Sequence, residues 1–203
     1  GSLILNLVFL QFGMERIAYL YSGFLIAVLI VAVTAFQPEL RRALIRIGQA
    51  DFLSSNSPQR LSRCVEEIVE AVNQMSAEKT GAIIVIPQQV PLGEFVETGV
   101  RIDAKVTSEL IKTIFYEGSP LHDMAVIIQG DRVVAARVQL PLAEADNSVY
   151  GRLGSRHRAA VGVTGSSDAI VIVVSEETGI VSLAMNGPLI RNISETQLRR
   201  HLN

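Results

Sequence analysis

The sequence predicts a mixed α/β fold of the α+β kind: a mixed central β-sheet flanked by helices and preceded by a hydrophobic transmembrane helix. Three features carry that expectation. Helical periodicity alternates with short β-branched runs over roughly the first half of the globular part, two strand pairs closed by turn residues fill the second half, and residues 17–36 hold no charged side chain. A length of 203 residues allows one medium domain with its own core plus an appendage.

Residues 17–36 are apolar or small over about the length a helix needs to cross a bilayer. Pro38, Arg41, Arg42 and Arg46 follow, and a positive flank of this kind places the C-terminal side in the cytoplasm. Leu3 to Met14 is apolar but too short to span, Gly1-Ser2 reads as a cloning remnant, and no charged leader or cleavage site marks a secretory signal, so the chain reads as cut from a longer membrane protein. The expected division is 1–36 as a truncated N-terminal transmembrane region, 37–57 as a juxtamembrane segment and linker, and 58–203 as the globular domain. Gln49 to Pro58 is polar and Ser/Asn-rich, as a linker should be.

Ser57-Pro58 supplies an N-cap and a first-turn proline, and Leu61, Val65, Ile68, Val72 and Met75 recur at helical spacing until Gly81 stops the helix. Ala82 to Ile86 is a β-branched run that fits a buried strand, and Thr107 to Phe115 reads as a further helix. Ala125–Ile128 and Arg132–Leu140 flank Gln129-Gly130-Asp131, a tight hairpin. Ala169–Val174 and Ile180–Ala184 flank Ser175-Glu176-Glu177-Thr178-Gly179 in the same way. Ser194 and Gln197 have capping-box spacing, so a terminal helix carrying Leu198 and Leu202 should close the chain.

Eighteen basic and twenty acidic side chains leave a net charge of −2, which argues against a general polyanion-binding surface, so nucleic acid is not an expected partner. Cys64 is the only cysteine; no intrachain disulfide can form, and its place in a helical pattern reads as a small buried hydrophobe. Against that balanced background Gly154-Ser155-Arg156-His157-Arg158 stands out as an anion receptor. A helix starting at Ser155 would add free backbone N–H groups and a positive helix end around one point, a fit for a triphosphate. An ordinary solvated first turn is the competing reading. Asp123 stands just ahead of an apolar run, where a carboxylate must be at an edge, paired or functional. His122 beside it is a possible metal ligand or a structural histidine, and Glu176 and Glu177 read, taken alone, as solvated turn charges.

Pro120-Leu121-His122-Asp123-Met124-Ala125, Ser155-Arg156-His157-Arg158-Ala159-Ala160 and Val174-Ser175-Glu176-Glu177-Thr178-Gly179 resemble the DGA, RHR and SEETG motifs of bacterial diadenylate cyclases. Phe36 to Leu44 is similar to the segment that joins the last membrane helix to the cyclase (DAC) domain in the membrane-anchored class of that family. The resemblance covers nearly the whole chain. It implies condensation of two ATP into cyclic di-AMP with release of two pyrophosphates, a divalent metal (Mg²⁺, Mn²⁺ or Co²⁺), and a face-to-face homodimer of DAC domains with one ATP per subunit. It also implies a plasma-membrane location with the catalytic domain cytoplasmic, contact with membrane lipid through the N-terminal helix, and control by a regulatory membrane partner. By the same resemblance Asp123 is catalytic at the 3′-hydroxyl, and His122, Asp123 and Glu177 are the metal ligands. Met124, Ala125, Gln139, Leu140, Ser155, Arg156, His157, Arg158, Ser175 and Glu177 then form the ATP site.

The chain departs from the family pattern twice. Met124 stands where the motif has glycine, a residue that permits close backbone approach and unusual φ. Gln139 stands where family members often have an aromatic residue that stacks on adenine. A catalytically weak or inactive membrane-tethered protein that binds or senses adenine nucleotides is the alternative these departures leave open.

Overall fold

The computed structural model describes residues 19–34, 36, 58–143 and 154–203. The chain divides into two compact units, one within residues 1–55 and the other within 56–203. In the first, residues 19–34 form a helix, α1, with Leu20, Phe24, Leu29, Ile30 and Val31 exposed. Among the described residues no helix is long and apolar enough to cross a membrane. The arginine cluster at 41–46 and the linker over 37–57 lie outside the described residues.

The second unit runs α2 (Pro58–Glu78), β1 (Ala82–Ile86), α3 (Gly93–Val96), β2 (Val100–Lys105), α4 (Ser108–Phe115), β3 (Ala125–Gln129), β4 (Arg132–Val138), α5 (Ser155–Ser166), β5 (Ile170–Val174), β6 (Val181–Ala184), β7 (Leu189–Arg191) and α6 (Glu195–Leu202). All seven strands join one sheet in the order β2-β4-β3-β1-β5-β6-β7. β1 and β3 are parallel and the other neighbours antiparallel, so the expected mixed sheet with its two hairpins is present.

Alternation along the central strands builds two cores. Ile84, Val126, Ile128, Ile172 and Val174 face the core shared with Ile68, Val72 and Met75 of α2, Phe115 of α4 and Leu198 of α6. Ile83, Val85, Ile127, Val171 and Val173 face the other, shared with Ala160 and Val163 of α5 and with Leu140. A strand buried on both faces reads as an unbroken apolar run, which is why β1, β3 and β5 are β-branched without polar alternation. Cys64 lies in the first core with its Sγ 3.4 Å from the Gly130 carbonyl, and burial pushes the thiol up to about 11.

Helix ends follow local chemistry. Thr107 caps α4 by accepting from the Leu110 N–H at 3.2 Å, and Ser194 and Gln197 close the expected capping box on α6. α2 does not stop at Gly81. Lys79 takes the left-handed conformation at φ 56°, and the Thr80 N–H bonds the Met75 carbonyl at 2.8 Å, a Schellman-type end two residues earlier. The hairpin strands are also shorter than their apolar runs: β4 ends at Val138 rather than Leu140, and β6 begins at Val181 rather than Ile180. β2, α3 and β7 were not expected from the sequence.

Gly179 closes the β5–β6 turn at φ +76°, where a Cβ would lie 2.4 Å from the Ser76 carbonyl oxygen, whose residue also donates its hydroxyl to the Gly179 carbonyl at 2.6 Å. Gly179→Ala is therefore expected to cost about 1–3 kcal/mol, from left-handed strain plus a backbone clash. Urea denaturation of the variant beside the parent measures it.

Candidate functional site

Strand register brings the separated motifs to one end of the sheet. Ala82 pairs with Val174, Val126 with Ile84, and Ala125 with Val138. The residue before β3 (Met124), the residue after β5 (Ser175), the residues after β4 (Gln139, Leu140) and Gly81 before β1 therefore lie along the same edge. α5 runs back along β5, so its N-terminal turn comes to that edge too.

α5 starts at Ser155 after Gly154, which offers no side-chain cap; the first intrahelical bond runs from the Arg158 N–H to the Gly154 carbonyl at 3.1 Å. The amides of residues 155–157 are thus left without helical acceptors, as a helix start at Ser155 implies, but the side chains of Arg156, His157 and Arg158 do not meet around one point. The three side chains that follow are each taken by a different neighbour. Arg156 Nη1 donates to Glu176 Oε2 in the β5–β6 turn, while its Nε is buried and unpartnered. His157 is 8% exposed, with Nε2 3.4 Å from the Ser182 hydroxyl on β6. Arg158 donates through Nε and Nη2 to the Ala143 carbonyl at 3.2 and 3.0 Å, and the Ala143 N–H returns a bond to the Arg158 carbonyl at 3.0 Å.

Gly81, Ala143 and Ser182 are the residues the sequence reading missed. A Cβ on Gly81 would meet Arg156 Nη1 and Glu176 Oε2 at 2.8 Å each, so that glycine makes room for the ion pair. Its isolated place just ahead of a β-branched strand was the available signal for a close approach.

Asp123 is 68% exposed at its side chain, and the partner within reach is His122, whose Nε2 lies 3.5 Å from Asp123 Oδ1. His122 Nδ1 lies 2.6 Å from the Ser119 carbonyl. A carbonyl oxygen only accepts, so Nδ1 donates to it, and Nε2 is the ring nitrogen on the Asp123 side. An imidazole nitrogen and a carboxylate oxygen are both atom types that bind divalent cations. Among the described residues no group of three or more His, Cys, Asp or Glu side chains is placed to hold a metal, so Glu177, exposed in the β5–β6 turn, is not gathered with His122 and Asp123.

Met124 sits at φ 68° with its side chain 46% exposed. The backbone here keeps the left-handed turn that glycine would favour, and the methionine side chain leans outward. Ala125 is buried at the head of β3, and Leu140 is 9% exposed in the core beneath α5. Gln139 is exposed, its N–H bonded to Thr98 Oγ1 at 3.0 Å. Ser175 accepts from the Thr178 N–H at 3.3 Å and so shapes its own turn.

Residues 69–189 match the family described as DisA bacterial checkpoint controller nucleotide-binding (DAC). The whole chain is 41% identical to 72% of a Bacillus subtilis protein named cyclic di-AMP synthase CdaA. Over 94% of its length it is 36% identical to a Listeria monocytogenes diadenylate cyclase, covering 71% of that protein. A crystal structure of a DacA double mutant from Staphylococcus aureus superposes with a TM-score of 0.67 at 38% identity, covering 69% of this chain and 93% of that one. A structure described as a hypothetical membrane spanning protein from Bacillus cereus matches 95% of this chain and 94% of its own, with a TM-score of 0.62 at 28% identity.

Two outcomes follow from the geometry. Met124→Gly removes the strain of a side chain at positive φ, worth about 1–2 kcal/mol, against about 0.5–1 kcal/mol of added unfolded-state entropy. The melting temperature should therefore hold or rise slightly, whereas Met124→Val should lower it. His157 titrates below its ordinary 6.5, pushed down by burial first and then by the Arg191 and Arg156 guanidiniums. The unfolded chain thus binds this proton more readily than the folded one. Its stabilising effect is complete above pH 6.5 and is lost as pH falls toward the lowered folded value, with a slope of at most about 1.4 kcal/mol per pH unit. A His157→Asn variant should lose that part of the pH dependence in denaturation curves.

Proposed function

We propose, for a chain that belongs to the DAC family of diadenylate cyclases, that it condenses two ATP molecules into cyclic di-AMP and releases two pyrophosphates. The observation that carries this reading is the convergence of Asp123, the uncapped first turn of α5 and the Ser175–Glu177 turn on one edge of the sheet.

In each half-reaction a 3′-hydroxyl oxygen attacks the α-phosphorus of the other nucleotide, the O3′–P bond forms, the bond to the β-phosphate oxygen breaks and pyrophosphate leaves. In-line attack with little covalent help makes positioning and charge stabilisation the main contributions of the protein. The amides of residues 155–157 would hold the phosphates, and the first turn of α5 would offset charge on the departing pyrophosphate. Asp123 would draw the proton from the 3′-hydroxyl. Ala125 and Leu140, their side chains in the core, would meet the nucleoside through their backbone, and Gln139, in place of an aromatic residue, would offer its exposed amide to the base. Ser175 and Glu177 would close the phosphate side.

Enzymes of this family generally need a divalent metal. His122 and Asp123 suit an ion that takes its remaining ligands from phosphate oxygens and water, as Mg²⁺ or Mn²⁺ does, with Co²⁺ as the softer alternative favoured by the imidazole. Such an ion lowers the pKa of a bound hydroxyl and screens phosphate charge. Glu177, the third ligand that the resemblance implies, stands apart from that pair in the β5–β6 turn.

The product is two-fold symmetric and each chain offers one cradle, so two DAC domains facing each other would supply both nucleotides. An Asp123 that is mostly exposed, reaching out of its own subunit, fits a carboxylate whose substrate hydroxyl belongs to the nucleotide opposite. We further read the chain as membrane-tethered: residues 17–36 carry no charge, and α1 exposes its large apolar side chains. The domain limits 1–36, 37–57 and 58–203 follow from the same reading, with the catalytic part on the cytoplasmic side, where ATP is.

The retained backbone turn at Met124 favours an active enzyme over a nucleotide sensor. Incubated with ATP and Mn²⁺, the protein should yield cyclic di-AMP and pyrophosphate, and Asp123→Asn should lower the rate by at least about 100-fold while sparing ATP binding. ATP binding without any product from the parent chain would establish the sensor reading instead.

A further inference from the structure

We propose that Arg191 is an additional anion-binding residue of this site, holding the terminal phosphates of bound ATP, and the pyrophosphate they become, from the β7 side. The proposal rests on the ATP reading above and deepens it.

Register places the side chain. Arg191 pairs directly with Ser182 across β6 and β7, and residues opposite one another in an antiparallel pair share a face of the sheet. The Ser182 hydroxyl lies 3.4 Å from His157 Nε2, so that face is the one beneath the first turn of α5. Arg191 is therefore beside His157, with Arg156 on the helix side. It is the last residue of β7, and Asn192 turns the backbone away at once with φ 59°, which holds the guanidinium at the strand end.

The charge around it is unbalanced. Arg132 is paired with Asp103, Arg199 with Glu66 and Glu195, and Arg156 with Glu176, whereas among the described residues no carboxylate pairs with Arg191, which is exposed. Two guanidiniums flanking a buried imidazole, with a single acid among them and three uncapped amides alongside, repel one another until an anion arrives. Strand order then says which part of the nucleotide would come here. Asp123 precedes β3, and the order β3-β1-β5-β6-β7 leads from it past the first turn of α5 to Arg191. With the α-phosphorus nearest the reacting hydroxyls, the triphosphate runs toward β7 with its terminal end last.

The test uses the full chain carrying Arg191→Gln or Arg191→Lys, with calorimetric binding of pyrophosphate, ATP and AMP in the presence of Mg²⁺, and steady-state kinetics. Arg191→Gln should weaken pyrophosphate and ATP binding about tenfold and raise KM for ATP to match, should leave AMP binding unchanged, and should hold or raise the melting temperature because one of the repelling charges is gone. Arg191→Lys should recover part of the loss. Unchanged pyrophosphate and ATP affinity in Arg191→Gln overturns the role of Arg191 alone, as does an equal loss of AMP binding, which marks a structural effect. Parent protein that binds no ATP overturns the substrate reading and this proposal together.

Discussion

Burial of β1, β3 and β5 on both faces is the constraint from which the site geometry descends. Each of these strands sends alternate side chains into two separate cores, so a slip of one residue would exchange the whole set and unpack both. Loss of even one such contact by truncation, Ile172→Ala for example, belongs to a class that costs about 2–5 kcal/mol. With register held that firmly, the level of Ala82, Val126 and Val174 relative to one another is fixed. The polar residues that flank these strands inherit that precision without stabilising the fold themselves. A reaction that requires an attacking oxygen in line with a phosphorus depends on such placement more than on any one strong contact.

The first turn of α5 shows how a short polar motif becomes a rigid device. Successive helix residues point about 100° apart, so three consecutive polar side chains address three different directions. Arg156 reaches the β5–β6 turn, His157 the β6 hydroxyl and Arg158 the chain after β4. The helix end is clamped to three segments at once, and its first amides are left without helical acceptors. Both guanidiniums, expected from the sequence to lie on phosphate, are engaged with protein oxygens here. Gly162 serves the same clamp from beneath: a Cβ there would lie 2.2 Å from the Pro141 carbonyl oxygen, so α5 can approach the 141–143 segment only because the side chain is absent.

Much of this was legible in the sequence wherever one physical signal dominated. The β-branched runs of β1, β3 and β5, the capping box at Ser194 and the helix start at Ser155 all appeared where periodicity and cap chemistry put them. β2 escapes the sequence reading although Val100, Ile102 and Ala104 alternate with charged residues, because it is an edge strand with no fully buried position and so carries no β-branched apolar run. β7 is three residues long and has no independent signal. The end of α2 was misplaced because glycine is the usual left-handed cap and lysine is not, whereas Lys79 takes that role and frees Gly81 for packing. Partnerships across the fold, such as Arg158 with Ala143, depend on tertiary register, which no local pattern encodes.

Met124 is held at a conformation its chemistry disfavours. A left-handed φ costs an L-residue about 1–2 kcal/mol, and methionine has no short polar side chain to offset it as asparagine would. That strain persists because both flanks are fixed: Ala125 enters a buried strand, and His122 is tied to the Ser119 carbonyl through its ring and its own N–H. Between two immobile ends the chain must turn within two residues. The turn sends Asp123 outward rather than into either core. The exposed carboxylate and the left-handed methionine are thus neighbours in one turn, held between the Ser119 contacts of His122 and the buried start of β3.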